Sequence, residues 1–100
     1  MALIKAGKAS ELPPGMARCV SHGNAPIAVF NIGGAFYACD DTCPHAGGSL
    51  HEGFVEGTTV TCPWHGWAFD LAAAPKAPWD GVRRYRVIVE GDLLQVEVPD

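Results

Sequence analysis

Two short segments, Cys43-Pro44-His45 and Cys62-Pro63-Trp64-His65, decide the interpretation of this chain. Each offers one thiolate and one imidazole, and 16 residues separate His45 from Cys62. Two sulfur and two nitrogen donors form a soft, four-ligand metal set. Both segments contain a proline and are followed closely by glycine. We therefore predict two similarly built loops that close on one metal centre.

The alternating order of these ligands separates two kinds of metal site. Loops that each supply one sulfur and one nitrogen can give both sulfurs to one iron and both nitrogens to another. That is the ligation of a 2Fe–2S cluster in which two histidines replace two cysteines. A single structural zinc ion is the alternative, although zinc fingers usually group like ligands, as C-x-x-C followed by a histidine pair. Electron transfer is the first hypothesis, and a non-redox zinc-binding interaction module stays open.

Composition narrows the remaining function classes. The chain has 100 residues, 48% of them hydrophobic and 18% charged, with a formal net charge of −4. This length predicts one domain. The absence of a basic block argues against nucleic-acid binding. No apolar run reaches the roughly 18–20 residues of a membrane span, and the apolar start is too short for a signal peptide. We expect a cytoplasmic protein.

The cysteines, histidines and arginines discussed next lie outside the two segments and are predicted to have structural or surface roles. In a reducing compartment, Cys19 and Cys39 are predicted to be buried thiols. His22 and His51 lie in polar segments flanked by glycine and are predicted to be surface histidines. The arginines at 83, 84 and 86 are predicted to lie on a solvated strand face.

The apolar pattern favours an all-β fold. Turn residues interrupt the chain about every ten positions, and no helical periodicity of useful length is present. Strands are predicted over residues 3–6, 16–21, 26–31, 35–39, 58–61, 67–70, 83–90 and 93–98, with another short strand between Gly53 and Gly57. One helical turn capped by Ser10 is expected near residue 10. The two ligand segments thus interrupt a β scaffold as loops.

Longer matches around the ligands identify a family resemblance. The segments 43–47 and 62–70, together with Leu50-His51-Glu52-Gly53 and the closing hairpin after Tyr85, resemble the Rieske-type [2Fe–2S] ferredoxins of bacterial aromatic-ring-hydroxylating dioxygenase systems. The resemblance implies an antiparallel β sandwich, one Rieske domain over residues 1–100, with a cluster-binding subdomain at about 40–79. It implies that Pro75 or Pro78 belongs to a loop covering the cluster. It also implies one [2Fe–2S] cluster per chain, held by Cys43, His45, Cys62 and His65.

Departures from the respiratory Rieske type indicate which branch of the family is matched. The respiratory type has two further cysteines, which here are Gly48 and Trp64, and two hydroxyl side chains, which here are Trp67 and Phe69. The resemblance is therefore to low-potential ferredoxins, which carry electrons from a flavoprotein ferredoxin reductase to a terminal oxygenase. No independent catalysis, nucleic-acid partner or membrane partner is expected. The small subunit of an assimilatory NAD(P)H nitrite reductase is the alternative.

Overall fold

The computed structural model describes residues 2–42, 48–63, 68–72 and 82–98. Their regular structure is β-strand except for two 3₁₀ turns, Ala9–Glu11 and Leu50–Glu52. The described part of the chain contains no helix of the length and apolarity that a bilayer span requires. The strands are β1 (Ala2–Lys8), β2 (Ala17–His22), β3 (Ala25–Ile32), β4 (Ala35–Asp40), β5 (Phe54–Glu56), β6 (Thr59–Thr61), β7 (Ala68–Asp70), β8 (Arg84–Glu90) and β9 (Leu93–Val98).

The strands form two antiparallel sheets of unequal size. The larger has six strands in the order β1-β9-β8-β4-β3-β2, and the smaller has three in the order β5-β6-β7. The larger sheet consists of two halves, because β4 and β8 are paired only at Ala38–Tyr85 and Cys39–Arg84. The smaller sheet is inserted between β4 and β8 in the chain, as expected for ligand loops interrupting a scaffold.

Strand β3 is the centre of the molecule because both of its faces are buried. Ile27 and Val29 point to a core shared with β9, which contributes Leu94 and Val96. Ala28 and Phe30, on the opposite face, belong to a second core that contains the smaller sheet. Alternate residues of a strand face opposite sides, so a continuous run of apolar residues such as Pro26–Phe30 is what a strand between two layers requires. The predicted all-β antiparallel sandwich is confirmed.

Ser10 plays a different part from the predicted cap. It lies inside the turn Ala9–Glu11, which has no side-chain cap. Its backbone N–H donates to Oδ1 of Asp92 (2.8 Å), and its hydroxyl donates to Oδ2 (2.7 Å). These hydrogen bonds lower the pKa of the Asp92 carboxyl. Ser10 therefore ties the start of the chain to the β8–β9 turn.

Two further predictions hold only in part, because tertiary contacts override the local pattern: Arg83 and Arg86 are exposed as predicted, but Arg84 and Cys19 differ. Cys19 is exposed on β2 rather than buried, whereas Cys39 is fully buried as predicted. Arg84 is not simply solvated, since its guanidinium donates to the backbone carbonyls of Val82 (2.5 Å) and Asp70 (3.0 Å). Because Asp70 ends β7, Arg84 fastens the smaller sheet to the larger one.

Candidate metal centre

Cys62 is the predicted ligand whose surroundings the structure describes. It follows β6 directly and is only 2% exposed. Its neighbours in the core include Leu50, Val60 and Phe69. The thiol therefore lies at the end of a strand, in an apolar environment where a metal-bound thiolate is shielded from water.

The approach of a neighbouring backbone explains the glycine nine residues before Cys62. A Cβ built on Gly53 would collide with the carbonyl oxygen of Thr61, the residue that precedes Cys62. The backbone of Gly53 has an ordinary extended conformation, with φ −78° and ψ −178°. Close packing therefore requires glycine at position 53. The 3₁₀ turn that ends before Gly53 packs closely against β6, the strand that leads to Cys62.

The first ligand segment is held at its base by Asp41, two residues before Cys43. The carbonyl of Asp41 accepts the N–H of Leu50 (2.6 Å), and Oδ1 accepts the N–H of His51 (2.8 Å). Nδ1 of His51 lies 2.8 Å from Oδ1 and 3.0 Å from Oδ2. A β-bridge also joins Thr42 to Ser49. We call residues 41, 42, 49, 50 and 51 the loop neck.

The neck is fixed to the scaffold by backbone and side-chain contacts. Asp41 donates its N–H to the carbonyl of Pro26 in β3 (3.0 Å). Next to it, Asp40 accepts the Tyr85 hydroxyl through Oδ1 (2.6 Å) and the N–H of Arg83 through Oδ2 (3.0 Å). Burial, followed by the Asp40 carboxylate, raises the pKa of Tyr85 to about 12. The two adjacent aspartates thus hold the chain in place just before Cys43.

The segments that flank the second ligand segment are linked to each other and to β8. Thr58 donates its hydroxyl to Oδ1 of Asp70 (2.8 Å), and Leu71 donates its N–H to the carbonyl of Thr58 (2.8 Å). The Arg84 guanidinium lies 6.0 Å from the centre of the Phe69 ring, a cation–π arrangement. The strands on both sides of the second ligand segment are therefore anchored.

Most of the predicted site lies outside the described residues. Cys43, His45 and His65 fall there, as do Trp64 and Trp67 and the candidate covering prolines Pro75 and Pro78. The chemistry of the donor set still fits a [2Fe–2S] cluster, since soft thiolates and imidazoles are the ligands of the mixed type. The buried thiol of Cys62 and the anchored neck before Cys43 agree with that fit.

Comparison with known proteins decides the family. The model of the Rieske [2Fe–2S] domain matches residues 2–85. The chain belongs to the Rieske [2Fe–2S] family. The ferredoxin component of biphenyl 2,3-dioxygenase from Rhodococcus jostii (strain RHA1) is 37% identical over 102 residues, which span 98% of this chain and 94% of the relative. Family membership confirms the expected [2Fe–2S] cofactor, and it excludes the zinc-module alternative.

Solved structures support the same assignment. In a complex of reduced oxygenase and oxidised ferredoxin in carbazole 1,9a-dioxygenase, the matching chain is 37% identical, with a TM-score of 0.80 and coverage of 94% of this chain and 91% of that one. A Mycobacterium tuberculosis protein proposed as the small subunit of an NADH-dependent nitrite reductase matches with a TM-score of 0.84, 24% identity and coverage of 99% and 97%. At that identity the second match shows the shared fold alone. This Rieske protein is an electron-transfer ferredoxin and not itself a catalytic enzyme.

Sequence reasoning missed the loop neck. His51 was predicted as a surface histidine, but its side chain is 24% exposed and its ring contacts the carboxylate of Asp41. The signal available in the sequence was weak, because ten positions separate the two residues and a ligand loop lies between them. The predicted short strand before Gly57 and the strand leading into Cys62 are confirmed as β5 and β6.

Proposed function

We propose that this ferredoxin carries one electron at a time from a flavoprotein NAD(P)H reductase to the terminal oxygenase of a multicomponent dioxygenase system. The observation that carries the proposal is the match, over nearly the whole chain, to a biphenyl dioxygenase ferredoxin and to a chain solved in an oxygenase–ferredoxin complex. The first is named as the ferredoxin component of a dioxygenase, and the second comes from a complex of an oxygenase with a ferredoxin. We further propose that the carrier works in the cytoplasm.

The proposed ligands have distinct roles. Cys43 and Cys62 would hold one iron as thiolates, and His45 and His65 would hold the other as neutral imidazoles. When bound, the cluster supplies a one-electron couple, and imidazole ligation raises its potential above that of a four-cysteine cluster. We propose that these residues belong to a cluster-binding subdomain at about 40–79 within a single domain spanning 1–100.

The residues around Cys62 set the proposed range of potential. Phe69 is buried beside Cys62 in the same core and has no hydroxyl to donate to a reduced cluster. Donors to a charged group stabilise it by about 1.5–3 kcal/mol in favourable cases, so their absence keeps the added electron less stabilised. We expect a midpoint potential of roughly −150 mV rather than about +300 mV, the top of the Rieske range.

Electron transfer between purified components tests the proposal directly. The protein, loaded with about two irons and two sulfides per chain, is reduced by a flavoprotein ferredoxin reductase and mixed in stopped flow with a terminal dioxygenase. Reduction and reoxidation within the turnover time of the system are expected. Co-purification with a large sirohaem protein, together with inactivity towards the oxygenase, would instead support the nitrite-reductase alternative. A midpoint potential above about +200 mV would contradict the low-potential assignment.

A further inference from the structure

Three side chains with metal-binding atoms meet beside the loop neck. Sγ of Cys19, a carboxylate oxygen of Asp41 and a ring nitrogen of His51 all lie within 4.8 Å of one another. They come from β2, from the residue after β4 and from the 3₁₀ turn Leu50–Glu52. None of them belongs to the four proposed cluster ligands. The fold therefore brings a second set of sulfur, oxygen and nitrogen donors together.

The three side chains form a site that is open to solvent on one side. Asp41 is 3% exposed, and the His51 side chain is 24% exposed. Cys19 is exposed at the rim. The backbone hydrogen bonds of the neck hold Asp41 and His51, while β2 holds Cys19 by its pairing with Ala28. Two donors are therefore fixed in the wall of the site, and the third can rotate toward them from the solvent side.

We propose that Cys19, Asp41 and His51 bind a divalent transition-metal ion of the zinc class, with water in the remaining coordination position. Zinc takes thiolate, imidazole and carboxylate ligands, at about 2.3 Å for sulfur and about 2.0–2.2 Å for nitrogen and oxygen. Such ligands lie roughly 3–4 Å from one another around the ion. The 2.8 Å between Nδ1 of His51 and Oδ1 of Asp41 is a hydrogen-bond distance, so the two side chains would move apart slightly to admit the ion. A small rotation of the exposed Cys19 side chain completes the set.

The proposed binding step balances in protons and in charge. With the ion bound at Nδ1, the neutral imidazole would carry its proton on Nε2, which lies 3.9 Å from Oε1 of Glu52. The thiol proton of Cys19 passes to solvent. One thiolate and one carboxylate neutralise the two charges of the ion, and one proton is released for each ion bound.

A nucleophilic Cys–His pair is the competing interpretation of the same residues. The pKa of Cys19 is raised, first by loss of water around the sulfur and then by the Asp41 carboxylate. Reactive cysteines have lowered pKa values and electropositive surroundings, so the arrangement opposes an attacking thiolate. A bound cation reverses this effect, since a coordinated thiol is deprotonated outright. The surroundings of Cys19 therefore disfavour a nucleophile, and the assignment as a metal ligand stands on the convergence of the three donor atoms.

Zinc titration of the cluster-loaded protein tests the proposal. Calorimetry with Zn²⁺ in two buffers of different ionisation enthalpy should give one ion bound and about one proton released per chain. Elemental analysis should show one zinc with both irons retained. With Co²⁺ as the probe, the difference spectrum should contain a thiolate-to-cobalt charge-transfer band.

Variants separate this site from non-specific binding. Cys19→Ala should weaken zinc binding by more than about 100-fold, since even indirect partners of a metal site change affinity by 10–100-fold. It should also abolish the cobalt band and leave the cluster spectrum unchanged. His22→Ala, a change at the turn end of β2 outside the three-residue cluster, should bind zinc like the unmodified protein. Equal zinc affinity in the Cys19 variant, or zinc uptake matched by iron loss, would overturn the proposal.

Discussion

The two sheets of this ferredoxin are stabilised in different ways. The strands of the larger sheet are six to eight residues long. The core between its two halves is built from side chains of this sheet and of the segment that follows β1. The strands β5–β7 have three residues each, and the buried side chains of β6 and β7 belong to the same core as residues of β3 and β4. Two of the exposed large apolar residues, Phe54 (71%) and Val55 (43%), also lie there. The smaller sheet therefore depends on the scaffold for its buried contacts, and we expect it to depend on the cluster as well, whereas the scaffold has a core of its own.

Removing the proposed cluster ligand Cys62 should produce the largest difference in stability between the smaller sheet and the scaffold. Cys62→Ser is expected to abolish cluster binding, because a hard hydroxyl is a poor replacement for a thiolate. Metal binding contributes free energy to folding, so the melting temperature should fall. Hydrogen exchange should show lost protection in β5–β7 and retained protection in β3, β8 and β9.

Cys39→Ala provides the control for the ligand change. Cys39 is equally buried but lies outside the matched ligand positions. This variant should keep about two irons per chain and the unmodified visible spectrum. A colourless Cys39 variant that stays folded would mean that the ligands are misassigned, and uniform loss of protection in Cys62→Ser would refute the independence of the scaffold.

Equal truncations in the two cores should sharpen the contrast. Leu50 and Leu94 are both fully buried, in the core of the smaller sheet and in the scaffold core respectively. Either Leu→Ala change should lower the free energy of unfolding by about 2–5 kcal/mol. Leu50 also belongs to the loop neck, so its truncation should speed iron release to a chelator, whereas Leu94→Ala should retain iron until global unfolding. Equal iron-release rates under native conditions would show that the two cores act as one unit.

Gly53→Ala tests how closely the 3₁₀ turn packs against the strand of Cys62. The added methyl collides with the backbone of Thr61, and such overpacking costs about 1–3 kcal/mol. Displacement of that strand should also shift the electron paramagnetic resonance spectrum of the reduced cluster. Gly57→Ala is the matched control, since it is strained by its φ of +61° but meets no neighbouring atom within 4 Å. The control should lose stability with an unchanged spectrum.

Local features of the chain could be predicted from the sequence, whereas contacts between distant segments could not. The β9 strand was predicted with its observed limits, Leu93–Val98, because its apolar alternation is local and the turn at Gly91 precedes it. The ligand pattern likewise identified the family without any knowledge of tertiary contacts. The loop neck and the Cys19–Asp41–His51 cluster could not be predicted, because Cys19 and His51 are 32 positions apart and meet only through folding. The predicted burial of Cys19 failed for the same reason, since its exposure depends on which layer covers β2.

The Tyr85–Asp40 hydrogen bond, which joins the halves of the scaffold beside the neck, should produce the smallest effect. The pKa of Tyr85 is raised to about 12 in the folded protein, first by burial and then by Asp40, from about 10 in an unfolded chain. A raised pKa means that the folded state holds the phenol proton more tightly. The stabilisation is therefore complete below about pH 10 and is lost as the pH rises towards about 12. Two units correspond to about 2.7 kcal/mol, and partial exposure of the ring reduces the expected contribution to about 1 kcal/mol.

Tyr85→Phe should lower the free energy of unfolding by about that amount at pH 8 and make its decline between pH 10 and 12 shallower, as measured by urea titration at each pH. A Tyr85→Phe protein with an equally steep decline would show that the Asp40 hydrogen bond does not contribute to holding the scaffold halves together.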